Sequence, residues 1–209
     1  MKLLFFLLAL GTVVAQPTAT PAQELLNSTS NLDRLVSRSL VAKLPLTNIG
    51  PSVMSGRVTD IDVNPMAPHE FYVGYASGGL WYTTNNGTTF QPVMDNSPTQ
   101  NIGDIAVHWP THTIYVGTGE NNSSRSSYAG IGILKSMDKG ASWQQIGLAD
   151  SHHIGKIEIN PADPNEVIVG VTGHLYSSDS TRGIYKTTDG GNTWKQTLAL
   201  QDPIGIIEI

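Results

Sequence analysis

An internal repeat with a period of about 50 residues constrains this chain more than any other feature. Thr187-Thr188-Asp189-Gly190-Gly191-Asn192-Thr193-Trp194 matches Ser136-Met137-Asp138-Lys139-Gly140-Ala141-Ser142-Trp143, and a looser copy runs from Thr83 to Phe90. The closing aromatics Phe90, Trp143 and Trp194 recur at intervals of 53 and 51 residues. Between these boxes the copies stay in register: Asp60-Ile61-Asp62-Val63-Asn64-Pro65 aligns with Lys156-Ile157-Glu158-Ile159-Asn160-Pro161, and Phe71-Tyr72-Val73-Gly74 with Ile114-Tyr115-Val116-Gly117 and Val167-Ile168-Val169-Gly170. Each copy therefore holds four short strands separated by Gly-rich turns, which is one blade of a β-propeller.

The expected fold is all-β, with a partial propeller over 47–209: blade 1 at about 56–95, blade 2 at about 101–148, blade 3 at about 152–199 and the start of a fourth at 202–209. In the third copy the strands are expected at Ile154–Ile159, Glu166–Val171, Gly183–Thr187 and Thr193–Leu198. Ile204-Gly205-Ile206-Ile207-Glu208-Ile209 repeats Ile154-Gly155-Lys156-Ile157-Glu158-Ile159. Blades bury their faces against neighbours, so the expectation is a fragment whose partners include the remaining blades of a longer chain.

Ahead of the repeats, Lys2, the apolar run Leu3–Leu10 and the small-residue exit Val13-Val14-Ala15 read as a secretory signal peptide over 1–15. The expected location is extracellular, periplasmic or at the cell surface. Residues 16–46 read as leader or linker, with one amphipathic stretch, Glu24–Leu40, suited to a short helix. The chain has no cysteine, which excludes a disulfide framework and thiol catalysis. A formal charge of -5 without a basic run gives no footprint for nucleic acid, and no later stretch is apolar enough to insert in a membrane.

The boxes carry a turn rather than chemistry. Asp138, Asp189 and Asn85 suit side-chain acceptors for backbone N–H groups, Gly87, Gly140 and Gly191 supply positive φ, and Phe90, Trp143 and Trp194 pack on adjacent strands. Repetition itself argues for scaffold.

Strand alternation sorts the loops into two faces. The boxes, as turns between third and fourth strands, share a face with the short Asn-Pro loops, while the opposite face holds the insertions Gly119–Gly130 and Thr172–Arg182 and the link Asp150–His153. Variable loops on one face of a rigid scaffold point to function there. Its candidate ligand-binding residues are Arg57, Glu120, Arg125, His152, His153, His174 and Arg182, with Tyr128 and Tyr176 beside them. Three histidines on one face raise zinc or copper, but neighbouring side chains point apart and no ligand spacing recurs, so no metal and no cofactor is expected. Phosphate loops, nucleophile elbows and His-Glu-x-x-His helices are missing from the sequence.

From Asn48 to Ile209 the chain resembles the sortilin N-terminal (VPS10-like), BNR/Asp-box propellers of secreted bacterial proteins, often loosely labelled glycosyl hydrolase. The resembling pieces are Ile49-Gly50-Pro51, Ser55-Gly56-Arg57, Gly78-Gly79-Leu80-Trp81, Gly117-Thr118-Gly119-Glu120, Ser151-His152-His153-Ile154-Gly155 and Arg182–Gly191. The resemblance implies box turns at the blade periphery. It implies a secreted or cell-surface module binding a peptide or glycan through the loop-rich face, with a glycan-active hydrolase as the alternative. In xyloglucan-cleaving propellers the nucleophilic Asp lies two residues before the Gly-Gly of the first blade; Ala76 stands there, which weighs against catalysis because glycosidases need two carboxylates. No arginine cluster suited to a sialate carboxylate is evident. If the chain is an enzyme, Glu120 is the candidate carboxylate.

Overall fold

The computed structural model describes residues 19–44, 56–122 and 127–209. The signal-peptide stretch, Ile49-Gly50-Pro51 and Arg125 lie outside the described residues. Three four-stranded antiparallel sheets follow one another along the chain. The first contains β1 (Val58–Val63), β2 (Phe71–Tyr75), β3 (Gly79–Thr83) and β4 (Gln91–Pro92). The second contains β5 (Ile102–His108), β6 (Thr113–Thr118), β7 (Ile133–Ser136) and β8 (Gln144–Gln145), and the third β9 (Ile154–Asn160), β10 (Asp163–Val171), β11 (Gly183–Thr187) and β12 (Lys195–Ala199). Each sheet is an up-and-down blade, and β1, β5 and β9 adjoin one another across the blade interfaces. Ahead of them α1 spans Ala22–Arg38, two residues earlier at each end than the amphipathic pattern suggests.

Two apolar clusters fill the blade interfaces. Tyr72, Leu80, Ile102, Ile105, Ile114 and Leu134 pack between the first and second blades, and Tyr115, Ile133, Ile154, Ile157, Val167 and Val169 between the second and third. Close approach depends on a glycine in each second strand. A Cβ at Gly74 would stand 3.3 Å from Ile102 Cγ2, and one at Gly117 or Gly170 would collide with Ile154 or Ile206. Ile102, Ile154 and Ile206 thus occupy one repeated slot, 52 residues apart. The sequence alignment pairs Ile204 with Ile154 instead. The offset has a local cause: Asp202 and Pro203 are drawn toward Arg182, so the chain reaches the slot two residues later. Ile204–Ile209 forms no strand within the described residues, although Ile206 N–H donates to Val171 O at 3.2 Å.

The box turns repeat closely. Asp138 Oδ1 accepts from Ser142 N at 2.9 Å and from Ser136 Oγ at 2.8 Å, and Asp189 Oδ1 does the same with Thr193 N and Thr187 Oγ. The Ser142 and Thr193 hydroxyls, donating to Oδ2 at 2.6 Å, and then these bonds hold both carboxyls down at about 2. Asn85 reproduces the turn with its oxygen, accepting from Thr89 N at 2.9 Å, while its Nδ2 donates to Thr89 Oγ1. Trp143 and Trp194 then reach back across the interface, each indole donating to a carbonyl of the preceding blade. Phe90, with no indole N–H, packs edge-on against Phe71 at 6.0 Å.

Carboxylates at the blade interfaces add a second device that alternation along the first strands does not reveal. Asp62 accepts from Val107 N and Trp109 Nε1, both at 2.7 Å, and Asp104 accepts from Ile157 N at 2.7 Å. Each therefore ties the first strand of its own blade to that of the next, satisfying an N–H that no sheet partner reaches. Asp104 also hydrogen-bonds Asp60 and lies 3.6 Å from Lys156. Burial first, and then the Asp60 charge, push its carboxyl up to about 8, so Asp104 holds a proton at neutral pH.

Candidate functional site

The face opposite the boxes gathers most of the chemistry singled out in the sequence. Its framework is the link between the second and third blades. His153 N donates to Ser151 O at 2.6 Å, closing a three-residue γ-turn with His152 at its centre, φ 54° and ψ −45°. This is a rare, strained backbone for a residue with a Cβ, costing roughly 1–3 kcal/mol. The insertion after β6 holds it in place, because Gly130 N donates to His152 O at 2.7 Å. Gly119, at φ 87°, lets the same carbonyl approach where a Cβ would collide with it.

The strained turn presents two imidazoles. The His152 ring stacks on His174 at a centroid distance of 3.7 Å, and His153 stands edge-on to His152 at 6.3 Å. His174 is oriented by Ser177 Oγ at 3.1 Å from Nδ1 and by Asp150 O at 3.0 Å from Nε2. Burial lowers the pKa of His152 and takes that of His153 down to about 4, so both rings are neutral at pH 7. Face-to-face stacking keeps the His152 and His174 nitrogens from converging on one point, and no metal-holding group of three His, Cys, Asp or Glu occurs among the described residues. The three rings, Ser127, Leu175 and Tyr176 line one shallow pocket.

Beside it, Glu120 bridges the first two blades. The residue is fully buried, yet its Oε2 meets Arg57 at 2.7 Å and Ser127 Oγ at 2.9 Å. Arg57 leaves nearly half of its side chain in solvent. Glu120 Oε1 and His153 Nδ1 are buried without a hydrogen-bond partner, an arrangement that costs roughly 1–3 kcal/mol per group. Such orphans in a polar pocket suit a ligand or water that completes them.

Arg182 takes a different position from the one its charge suggests. Only 6 % exposed, it spends its donors inside the chain: Nε on Asp202 at 2.9 Å, Nη1 on Thr172 O at 3.0 Å and Nη2 on His174 O at 2.5 Å. It shapes the third-blade insertion, with most of its guanidinium N–H groups engaged within the chain. Of the sequence candidates, the structure brings together Arg57 with Glu120 and, separately, His152, His153 and His174; Arg125 lies outside the described residues. Missed in the sequence was Ser127, whose hydroxyl links the two groups; a lone serine in a polar loop gives no signal.

Ala76 is buried, with its N–H on Arg57 O and its carbonyl on Ile102 N. The Asp60 and Asp104 carboxyls share a hydrogen bond, which places them closer than the about 5 Å spacing of a retaining pair.

No protein-family model and no curated protein matches the chain. Among solved structures, an ancestral GH74 enzyme superposes with TM-score 0.54 and 22% identity, covering 71% of this chain and 19% of that one. The GH74 xyloglucanase from Xanthomonas campestris superposes with TM-score 0.50 and 16% identity, covering 66% and 21%. YCF48 from Cyanidioschyzon merolae aligns with TM-score 0.46 and 16% identity, covering 69% and 41%. The chain spans about a fifth of the length of the GH74 chains it matches. At these identities the likeness is one of fold, and the fold is a β-propeller.

Proposed function

We propose that this chain contributes the recognition face of a secreted β-propeller binding module whose ligand is a peptide or a glycan. The observation that carries the reading is the loop face itself: a strained γ-turn holds imidazoles against a pocket, and a half-exposed guanidinium sits on a buried carboxylate beside it. Three buried polar atoms without a hydrogen-bond partner among the described residues, Glu120 Oε1, Ser151 Oγ and His153 Nδ1, lie on this face together with the strained turn. Export rests on the signal reading of residues 1–15. The hydrolase alternative has weaker support, since Glu120 is fully buried and Ala76 stands at the nucleophile position the resemblance implies.

The test screens the protein on peptide and glycan arrays, then repeats the screen with Arg57→Ala and His174→Ala, and with Asp138→Asn as a box-face control. Capture weakened by about 1–3 kcal/mol in the first two and unchanged in the third supports the reading. Capture lost in Asp138→Asn alone overturns the choice of face. Hydrolysis of a captured glycan would favour the alternative.

A further inference from the structure

The loop face already holds a piece of its own chain. Ala19 lines the histidine pocket, and the Thr20 carbonyl stands 3.3 Å from His152 Nε2, which donates to it. Ala22 N donates to Asp150 Oδ1 at 3.3 Å, and the Ala22 side chain is 6 % exposed. Leu25, one helical turn on, packs against the core cluster of the first two blades.

These contacts follow from a deficit in the helix. Pro21 occupies the N-cap of α1 and supplies no side-chain acceptor, so the first N–H groups lack a partner within the segment. Asp150, on the link between the blades, caps the helix from outside, and its charge complements the positive end of the helix dipole. The face thus provides one donor and one acceptor spaced to bond the carbonyl of residue i and the N–H of residue i+2. That pairing is met here by the backbone of residues 20 and 22, and a second polypeptide would meet it in the same way.

The attachment is slight. Ala22 is the only buried residue of the 17 in α1, and Leu32, Leu35 and Val36 lie exposed. A helix of that length held by one turn is marginal in water and can leave its seat at modest cost.

We infer that residues Ala19–Leu25 form an intrachain strap occupying the ligand seat, and that the ligand the seat accepts when the strap leaves is a peptide entering as a short extended segment followed by a helical turn. The inference rests on the loop-face reading above and narrows its ligand to the peptide class. Small side chains at the positions of Ala19 and Ala22 and an apolar one at that of Leu25 are its requirements. The strap competes with any such ligand, so occupancy of the seat depends on displacing it.

The experiment uses the whole protein and Ala22→Glu, which places a carboxylate against Asp150 in a closed slot and unseats the strap. The probe is a fluorescent synthetic peptide of residues Ala19–Asn27, followed by anisotropy. The expected result is binding to Ala22→Glu at least 10-fold tighter than to the unaltered protein, abolished when Asp150→Ala is added. Hydrogen exchange at His152 and Gly130 should rise in Ala22→Glu without peptide and fall again with it, while an unchanged Tm shows that the blades stay folded. Equal weak binding by both proteins overturns the strap, as does tight binding that ignores Asp150→Ala. If Ala22→Glu captures an array glycan in a His174-dependent manner but no peptide, the peptide class fails and loop-face binding stands. If it captures neither, both fail.

Discussion

The indole of Trp194 in the third blade donates to the carbonyl of Ile146 in the second at 2.8 Å, and Trp143 makes the same bond to Val93 of the first. A residue that closes a turn in one blade therefore also fastens that blade to its predecessor. The glycine before it makes room: a Cβ at Gly140 would stand 2.7 Å from Val93 Cβ, and one at Gly191 would collide with Ile146.

Trp194→Phe keeps the ring and removes the donor, so it should cost about 1 kcal/mol; Trp194→Ala, which also empties the half-buried seat, should cost about 3 kcal/mol. Urea unfolding read by fluorescence of the remaining tryptophans measures both. Equal losses in the two variants would show that the hydrogen bond, not packing of the ring, joins the blades.

Asp104 should make the protein more stable in mild acid than in mild base. Its carboxyl titrates near 8 in the fold against an ordinary 3.8, so the folded state holds the extra proton between these values. Stability conferred by that proton is complete below pH 4 and is lost as pH rises through 8, by on the order of 5 kcal/mol. Asp104→Asn keeps an oxygen for Ile157 N and an amide for Asp60. It should flatten the change between pH 5 and 9, and a slope identical to that of the parent would show that the proton resides elsewhere.

The histidine link works in the opposite sense. His153 titrates near 4 in the fold and near 6.5 unfolded, so between these values the unfolded chain binds more protons and stability falls as the pH drops. The loss approaches about 3 kcal/mol at pH 4. Chemical unfolding of the protein and of His153→Gln at pH 7.5 and 4.5 isolates the contribution: the parent should lose more than the variant by about 2 kcal/mol. A parallel decline in the two would remove His153 from the account.

Much of the scaffold was legible because its determinants are local. Asp138 and Ser142 lie four residues apart and make their turn whatever surrounds them, so the repeated boxes located the third and fourth strands of each blade. What stayed hidden were partners distant in sequence. Asp62 and Asp104 read as ordinary polar positions on alternating strands, yet each meets the N–H of a residue 45 or 53 positions away. Nothing local says that His152 takes φ 54°, since the turn is held from Gly130, or that Ala22 is buried by Asp150 and its neighbours. Charge also misdirects: Arg57 and Arg182 look alike in sequence, and only burial separates the exposed one from the clamp.

Arg182→Ala accordingly should act through the fold and not through ligand contact. Its removal would strip partners from Asp202, Thr172 O and His174 O at once, and loss of one member of a largely buried charged network costs about 3 kcal/mol. The effect should be regional. Gly173 at φ 80° packs against Arg182 and Asp179, so the insertion Thr172–Arg182 and the approach to Ile206 should gain hydrogen exchange while β5 and β6 keep theirs. Arg182→Lys should recover little, because a single ammonium cannot span three divergent acceptors as the planar guanidinium does. Full stability in Arg182→Ala, together with weakened ligand capture, would return this residue to the recognition surface and contradict its role as the clamp that sets where the chain enters the slot at Gly170.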